Sequence, residues 1–572
     1  MPSTFRINKK KTVIVLGGSY GGARAAQVLA ESLPDECLII MIDRNSHANH
    51  LYVLPRLGVF PGHEHKAFIP YTNVFHPTRP SSPPSSIDNL HANSSSPGPT
   101  TIFLQAHITD ISPTHVTLDR SFPPHGFTNE IAYDYAVYAL GSHLPSPIDL
   151  WAPETQPSAE TPTASSFPKT VSHLDGQEFG HARCRRSVIE EVAPYNGTKP
   201  EGVAWLKRCQ DRIAHARSVL VVGGGALGIQ FATDIAAVHP TKPVTLLHSR
   251  DRLLPRFDLP MHTTIMQALE DLRVDVILGS RLDLATTRPG AEVYDKIGRR
   301  VVRTEDGREI AADLLLLCTG QIPNTALLSS LYPEVVDEQS KLVRVLRTMQ
   351  IAAPIPIPTP SSPAPSLLSG FPSSPCMSEM STFTSSSHTP SDGMSIYDDK
   401  EENGRLEMGD LVLALDNGED DEEYGEEGSS GRLTSENDDG EGEDDEEVLR
   451  DSHLFTPYPH IFAIGDASDA FGAINAGHNA YYQGEVAARN IVRLIKRDII
   501  SHNNTTNEID EELELYTPNP PAIKVSLGLQ TKSVYEINGV IGTKDDGNED
   551  LDAGLMWRYF GVGGLTEEEM LV

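Results

Sequence analysis

Two glycine-rich stretches carry most of the chemistry legible in this chain. The first is Gly17-Gly18-Ser19-Tyr20-Gly21-Gly22, preceded by the apolar run Val13-Ile14-Val15-Leu16. The second is Gly223-Gly224-Gly225-Ala226-Leu227-Gly228, preceded by Val219-Leu220-Val221-Val222. A tight turn from strand into helix, a backbone that lets a pyrophosphate approach, and close packing of helix on strand each favour glycine for a separate steric reason. The free N–H groups and the positive dipole end of the following helix suit the phosphates. In the second turn all three critical places are glycine, namely Gly223, Gly225 and Gly228; in the first they are Gly17, Ser19 and Gly22. Ser19 therefore puts a Cβ where backbone should approach phosphate. One such turn suggests one dinucleotide. Two suggest a pair meeting face to face, the arrangement in which a flavin takes hydride from a nicotinamide.

An acid about 20 residues past the last glycine normally accepts the adenosine ribose hydroxyls. Asp43 stands 21 residues past Gly22, at the end of an apolar run, and fits a ribose with a free 2′-OH, as in FAD. The equivalent place 20 residues past Gly228 holds His248, followed by Ser249 and Arg250, with no carboxylate. That set tolerates or favours a 2′-phosphate, so NADH and NADPH both stay open as the second nucleotide.

These residues need elements to hold them. Residues 12–43 read as strand, turn, helix and strand, and residues 218–248 repeat the pattern with a helix over 226–238. Further buried strands are expected at 101–105, 115–118, 135–140 and 313–317, the last running into Cys318-Thr319-Gly320. Residues 201–216 and 476–497 have helical composition. Residues 77–100 read as a surface insertion and 145–170 as a linker. From about residue 353 the chain turns Pro/Ser-rich and then acidic, and lacks the apolar content to offset its chain entropy. The short run 411–415 is the one part of it that could pack locally. The expected fold class is α/β: two Rossmann-like FAD/NAD(P)-binding domains, a small C-terminal α+β region and a long disordered acidic insertion. The boundaries are 11–150 (FAD-binding domain, first part), 151–216 (linker and helix), 217–318 (NAD(P)H-binding domain), 319–352 with 453–500 (FAD-binding domain, second part), 353–452 (insertion) and 501–572 (C-terminal region).

Composition narrows the classes. Of the net charge of −33, the stretch 398–450 alone supplies −19, from 23 acidic and 4 basic residues. Such a chain repels phosphate backbones, which disfavours nucleic acid as a partner. The acidic run reads as a solvated spacer, with docking to a basic protein surface as the alternative. Five cysteines, Cys37, Cys184, Cys209, Cys318 and Cys376, form no C-x-x-C or C-x-x-x-x-C pair. That argues against a disulfide framework and a local redox dithiol, and fits a reducing compartment. No apolar run is long enough to span a membrane, and the first strand leaves no room for a signal peptide, so a cytoplasmic protein is expected. Peripheral membrane or lipid-droplet contact through the C-terminal β region, with Trp557, Tyr559 and Phe560, is a further reading. No metal site is expected.

The order GGSYGG, GGGALG, Cys318-Thr319-Gly320, Ile464-Gly465-Asp466 resembles the two-dinucleotide-binding-domain flavoproteins of the pyridine nucleotide-disulfide oxidoreductase superfamily. Within them VTLLHSR, LCTGQIPNT and HIFAIGDASD are most similar to the AIF-like, ferroptosis-suppressor group of NAD(P)H:quinone oxidoreductases. The resemblance implies that Gly17, Gly18, Ser19, Tyr20 and Gly21 cradle the FAD pyrophosphate. It also implies that Arg56 contacts FAD, that Ala106 meets the adenine through its main chain, and that Asp466, beside Gly465, binds the ribityl or pyrophosphate region. The helix from about Ala476 would aim its N-terminus at the flavin, with Gly477, His478 and Gln483 on its first turns; His478 is a candidate for hydrogen bonding to flavin or quinone. Many relatives have a glutamate two places past the last glycine of the second turn, where this chain has Gln230, which could replace a hydrogen bond but not a charge. Without a dithiol, electrons would pass from flavin directly to a small-molecule acceptor such as a quinone. Two alternatives remain at this point: a redox-inactive AIF-like binding or signalling protein that keeps the fold, and a flavin monooxygenase, whose F-x-G-x-x-x-H-x-x-x-W/P-like signature is not found between the turns.

Overall fold

The structure, a computed structural model, describes residues 10–76, 98–144, 196–288, 290–356, 453–503, 511–529, 532–545 and 548–571. The run Lys11–Leu16 is apolar and β-branched, and its last four residues are buried. Strands covered on both faces suit a parallel sheet. This strand is the middle of five parallel strands in the order Ile461–Ala463, Tyr135–Tyr138, Lys11–Leu16, Cys37–Asp43, Thr100–Gln105. The second sheet has four parallel strands, Asp275–Ile277, Val244–Leu247, Val219–Val222 and Leu314–Leu317. Each carries its glycine turn at the C-terminal end of its central strand, where ligands bind in open α/β sheets. The expected α/β architecture with two parallel sheets of the dinucleotide-binding kind is present.

Both turns lead into helices of 13 residues, Tyr20–Ser32 and Ala226–Val238. The first begins at Tyr20, three residues before the start at residue 23 that its helical composition over 23–32 suggests, because Ser19 is its N-cap and Gly21 and Gly22 lie inside it. The long helix Gly477–Asn503 packs across it. Their crossing is glycine on glycine: a Cβ on Gly21 would stand 2.5 Å from the Ala480 carbonyl oxygen, and one on Gly484 would stand 2.4 Å from that of Gly21. Gly21 is therefore required by helix packing.

The C-terminal residues do not keep a core to themselves. Val525 and Val534, from the antiparallel sheet of Ile523–Val525, Lys532–Ile537 and Val540–Asp545, and Leu527, two residues past its first strand, join the core under the second turn. Met556, Trp557, Phe560 and Met570 join the core of the five-stranded half. This corrects the membrane reading of the C-terminal aromatics. Trp557 is 1% exposed and Phe560 3%, and Tyr559 packs against the same core. The Trp557 indole donates to the Lys66 carbonyl at 3.0 Å. These rings are committed to the interior because an indole with its N–H satisfied gains more from burial than from water. Among the described residues no helix is long and apolar enough to cross a membrane. Residues 77–97 of the expected insertion 77–100, the whole linker 145–170, the Pro/Ser-rich and acidic segment 357–452 with its run 411–415, Cys184 and Cys376 lie outside the described residues.

Candidate functional site

The two turns are built alike, bond for bond. Gly17 donates to the Ile42 carbonyl and Gly223 to that of Leu247, both at 2.8 Å. A Cβ on Gly17 (φ +97°) would meet the Ala139 carbonyl oxygen at 2.4 Å; one on Gly223 (φ +122°) would meet that of Cys318 at 2.3 Å. On Gly22 it would stand 1.9 Å from the Gly17 oxygen, and on Gly228 1.8 Å from that of Gly223. The chain itself therefore demands glycine at these four places. Gly18 and Gly224 are crowded by side chains, the Tyr71 ring in one case and Leu253 with the His248 ring in the other.

Gly225 is different. It is exposed, has φ −85° and is the N-cap of its helix, and a Cβ there would meet nothing within 4 Å. Neither strain nor packing calls for glycine there. An open backbone at a helix N-terminus is what a pyrophosphate needs, so the second turn fits a dinucleotide. The matching place in the first turn is Ser19, also an N-cap, whose hydroxyl makes no capping hydrogen bond.

The residues at the ends of the second strands correspond as well. Asp43 Oδ2 accepts from the Gly18 N–H at 2.7 Å, and Asp43 Oδ1 from Asn45 N–H at 2.8 Å. His248 Nδ1 accepts from the Gly224 N–H at 3.0 Å. Burial raises the Asp43 pKa against the pull of these N–H groups, and burial lowers that of His248. Because His248 Nδ1 is an acceptor, its proton sits on the buried Nε2, with the Arg252 main chain as the neighbouring acceptor. A neutral imidazole thus does at the second turn what a carboxylate does at the first. Arg250, two residues on, is exposed. The Ala106 N–H donates to the Asp43 carbonyl at 2.9 Å, so only its carbonyl remains for an adenine. The Tyr71 hydroxyl donates to Asp43 Oδ2 at 3.3 Å. Sequence reasoning missed Tyr71, and nothing in its neighbours marks it.

Gly465 and Asp466 face the start of the long helix across a shallow recess, also lined by Ser468, Asn475, Asn479 and Gln483. The Gly465 N–H donates to Gln483 Oε1 at 2.7 Å, and Ser142 donates to Asp466 Oδ2 at 3.0 Å. Burial pushes the Asp466 carboxyl up, with the Ser142 bond opposing it. Asn479 is 1% exposed; its amide donates to the Ile474 carbonyl at 2.9 Å, while its Oδ1 is buried with no donor. An orphaned acceptor beside this recess fits a ligand that brings N–H or O–H groups, as a flavin with its ribityl chain does. His478, next along, is half-buried, has its pKa lowered by burial, and leaves Nε2 unpartnered. The Gly477 N–H, at the helix start, donates to the Tyr52 hydroxyl at 2.8 Å. Tyr20 lies against Tyr52, ring centroids 5.5 Å apart, and its hydroxyl meets His50 Nδ1 at 3.0 Å.

Two further candidates have partners that the sequence did not foretell. Arg56 is 1% exposed and ion-paired at 3.0 Å with Asp234, which is 0% exposed on the second-turn helix. Its guanidinium also donates to the Gly528 and Glu549 carbonyls, each at 3.0 Å. Gln230, one turn before Asp234, donates to Ser526 Oγ at 3.3 Å. Among the described residues no two thiols form a redox pair: Cys37, Cys209 and Cys318 are free, and burial pushes Cys209 up to about 11 and Cys318 to about 12. Among the described residues no cluster of three or more His, Cys, Asp or Glu could hold a metal ion.

The chain is 33% identical over 98% of its length to Fe-regulated protein 8 of Mycosarcoma maydis, covering 97% of that protein. It is 23% identical to apoptosis-inducing factor homolog B of Dictyostelium discoideum, over 59% of this chain and 70% of the other. With ferroptosis suppressor protein 1 of Taeniopygia guttata it shares 24% identity, over 56% of this chain and 65% of that one. Residues 11–349 match the model of the pyridine nucleotide-disulphide oxidoreductase family, which implies use of FAD and NAD(P)H. With two nucleotide turns of one construction in that matched stretch, the chain belongs to the pyridine nucleotide-disulphide oxidoreductase family of NAD(P)H-dependent flavin oxidoreductases.

Proposed function

We propose that this protein binds FAD at the first turn and NAD(P)H at the second, and passes electrons from the flavin directly to a quinone-like acceptor. The observation that carries the reading is the repeated turn, with Gly225 alone among the critical glycines owing nothing to the chain's own packing. When bound, FAD supplies the acceptor for a hydride, two electrons and one proton, leaving nicotinamide C4, and with a further proton returns both electrons to reduce a quinone to its quinol. The protein's task is geometry and exclusion of water. Asp43 would accept from the adenosine ribose, Ser19 and Tyr20 would offer main-chain N–H groups to the pyrophosphate, and Asp466 would accept from the ribityl hydroxyls. The N-terminus of Gly477–Asn503 would favour negative charge beside it. His478 would present Nε2 to flavin or acceptor. Gln230, with its amide nitrogen turned to Ser526, would offer Oε1 to the nicotinamide carboxamide.

Two observations support direct transfer to the acceptor. The sequence holds no closely spaced cysteine pair, and burial keeps the thiols of Cys209 and Cys318 protonated. Anaerobic stopped-flow mixing of the FAD-loaded protein with NADH and NADPH, followed by a series of quinones, tests the proposal. Prompt bleaching and quinone-driven return of the flavin absorbance are expected. A protein that takes up no FAD, or whose flavin does not bleach, would refute it. The second outcome would favour the redox-inactive binding reading, which has Ser19 and the uncharged Gln230 in its support.

A further inference from the structure

We infer that Arg56 and Asp234 are positioning residues: a buried pin that sets the nicotinamide-side helix against the flavin-side half. The inference rests on the functional reading above. Arg56 belongs to the short helix Leu54–Leu57, and Asp234 to the third turn of Ala226–Val238. Both are sealed from water, and the same guanidinium holds the carbonyls of Gly528 and Glu549. Four segments thus converge on one planar, five-donor group. Asp234 is fully buried, and the Arg56 guanidinium, 3.0 Å from its Oδ1, supplies the compensating charge.

Stability alone does not account for this arrangement. An apolar pair of similar volume commonly packs such a contact at no loss, and often with a gain. What apolar packing lacks is direction. The guanidinium fork fixes both distance and angle, and the Gln230–Ser526 contact ties the same helix to the C-terminal sheet one turn earlier. Asp234 is eight residues, about 12 Å of helix rise, from Ala226, where the nucleotide would bind. A tilt of about 5° at the pin therefore displaces that end by roughly 1 Å, and an error of that size costs about a hundredfold in a transfer between stacked rings.

The test uses the FAD-loaded full chain and three variants, Arg56→Lys, Asp234→Asn and Arg56→Met/Asp234→Leu. The readouts are the limiting rate of flavin bleaching at saturating NAD(P)H, long-wavelength charge-transfer absorbance, nucleotide Kd by calorimetry and the unfolding midpoint. The expected result is a bleaching rate lowered roughly 10- to 100-fold and a weakened charge-transfer band, with Kd within about threefold of wild type. The double variant carries no buried charge; it should fold with an unchanged or higher midpoint and still be slow. Rates within about threefold of wild type in the double variant would overturn the inference, as would a double variant that fails to fold or to hold FAD, since the pair would then be structural. If the wild type itself does not bleach with either nucleotide, the functional reading fails and the positioning role falls with it.

Discussion

Gly225 and Gly228 stand three residues apart, and substituting them should break different properties. At Gly228 an added Cβ would sit 1.8 Å from the Gly223 carbonyl oxygen, a backbone atom that cannot swing aside, and 3.4 Å from Cys318 Cβ. Gly228→Ala should cost about 3 kcal/mol or more, at the upper end of overpacking penalties. At Gly225 the side chain has open space, and the main loss in Gly225→Val is a poorer helix N-cap, about 1 kcal/mol. Its effect should fall on the nucleotide. If the side chain removes one charge-assisted bond between backbone N–H and phosphate, worth about 1.5–3 kcal/mol, nicotinamide-nucleotide affinity drops roughly 10- to 150-fold. Denaturant unfolding of both variants, with calorimetric titration of the FAD-loaded Gly225→Val protein, separates the two effects. Wild-type nucleotide affinity in Gly225→Val would refute the reasoning. Loss of FAD in place of the nicotinamide nucleotide would mean that the two sites are assigned the wrong way round.

Asp466→Ala should lower the FAD content of the purified protein, read from the ratio of flavin to protein absorbance, while leaving nicotinamide-nucleotide binding by the second turn intact. His50 is sealed beside Tyr20, and burial lowers its pKa to about 3. Its folded pKa lies below the unfolded value, so its neutral form contributes stability that is complete above about pH 6.5 and declines as the pH falls toward 3. The stability of the wild type between pH 6 and 4 should therefore fall more steeply than that of His50→Gln, by about 1.4 kcal/mol per pH unit, and parallel slopes would contradict this. Trp557→Ala empties a filled core site and leaves the Lys66 carbonyl without its donor, a loss of about 3–5 kcal/mol measurable by denaturant unfolding.

Local pattern made the turns legible. The steric demands of Gly22 and Gly228 come from the turn itself, at Gly17 and Gly223, while those of Gly17 and Gly223 come from the distant carbonyls of Ala139 and Cys318; the spacing of the glycines along the chain is still enough to find all four. Asp43 was within reach for the same reason. His248 was half legible: its place in the series marks it as the counterpart of Asp43, but only geometry shows that it takes over the hydrogen bond to the turn. Arg56 lay beyond such reasoning. Its partner is 178 residues away on another sheet's helix, and the carbonyls it holds belong to the last tenth of the chain. The membrane reading of Trp557 and Phe560 failed because an aromatic cluster looks the same in sequence whether it will face outward or fill a core.

The five-stranded sheet closes only when Ile461–Ala463 pairs with Tyr135–Tyr138, and its core is finished by Met556, Trp557 and Phe560. The four-stranded sheet draws all its strands from 219–317. During synthesis the later-encoded nucleotide unit is therefore the first to have its whole sheet outside the ribosome, while the amino-terminal unit waits for nearly the entire polypeptide with an open strand edge. That makes the earliest-made segment the one most in need of chaperone protection. It also means that a chain cut between residues 317 and 461 carries every strand of the four-stranded sheet but lacks an edge strand of the five-stranded one.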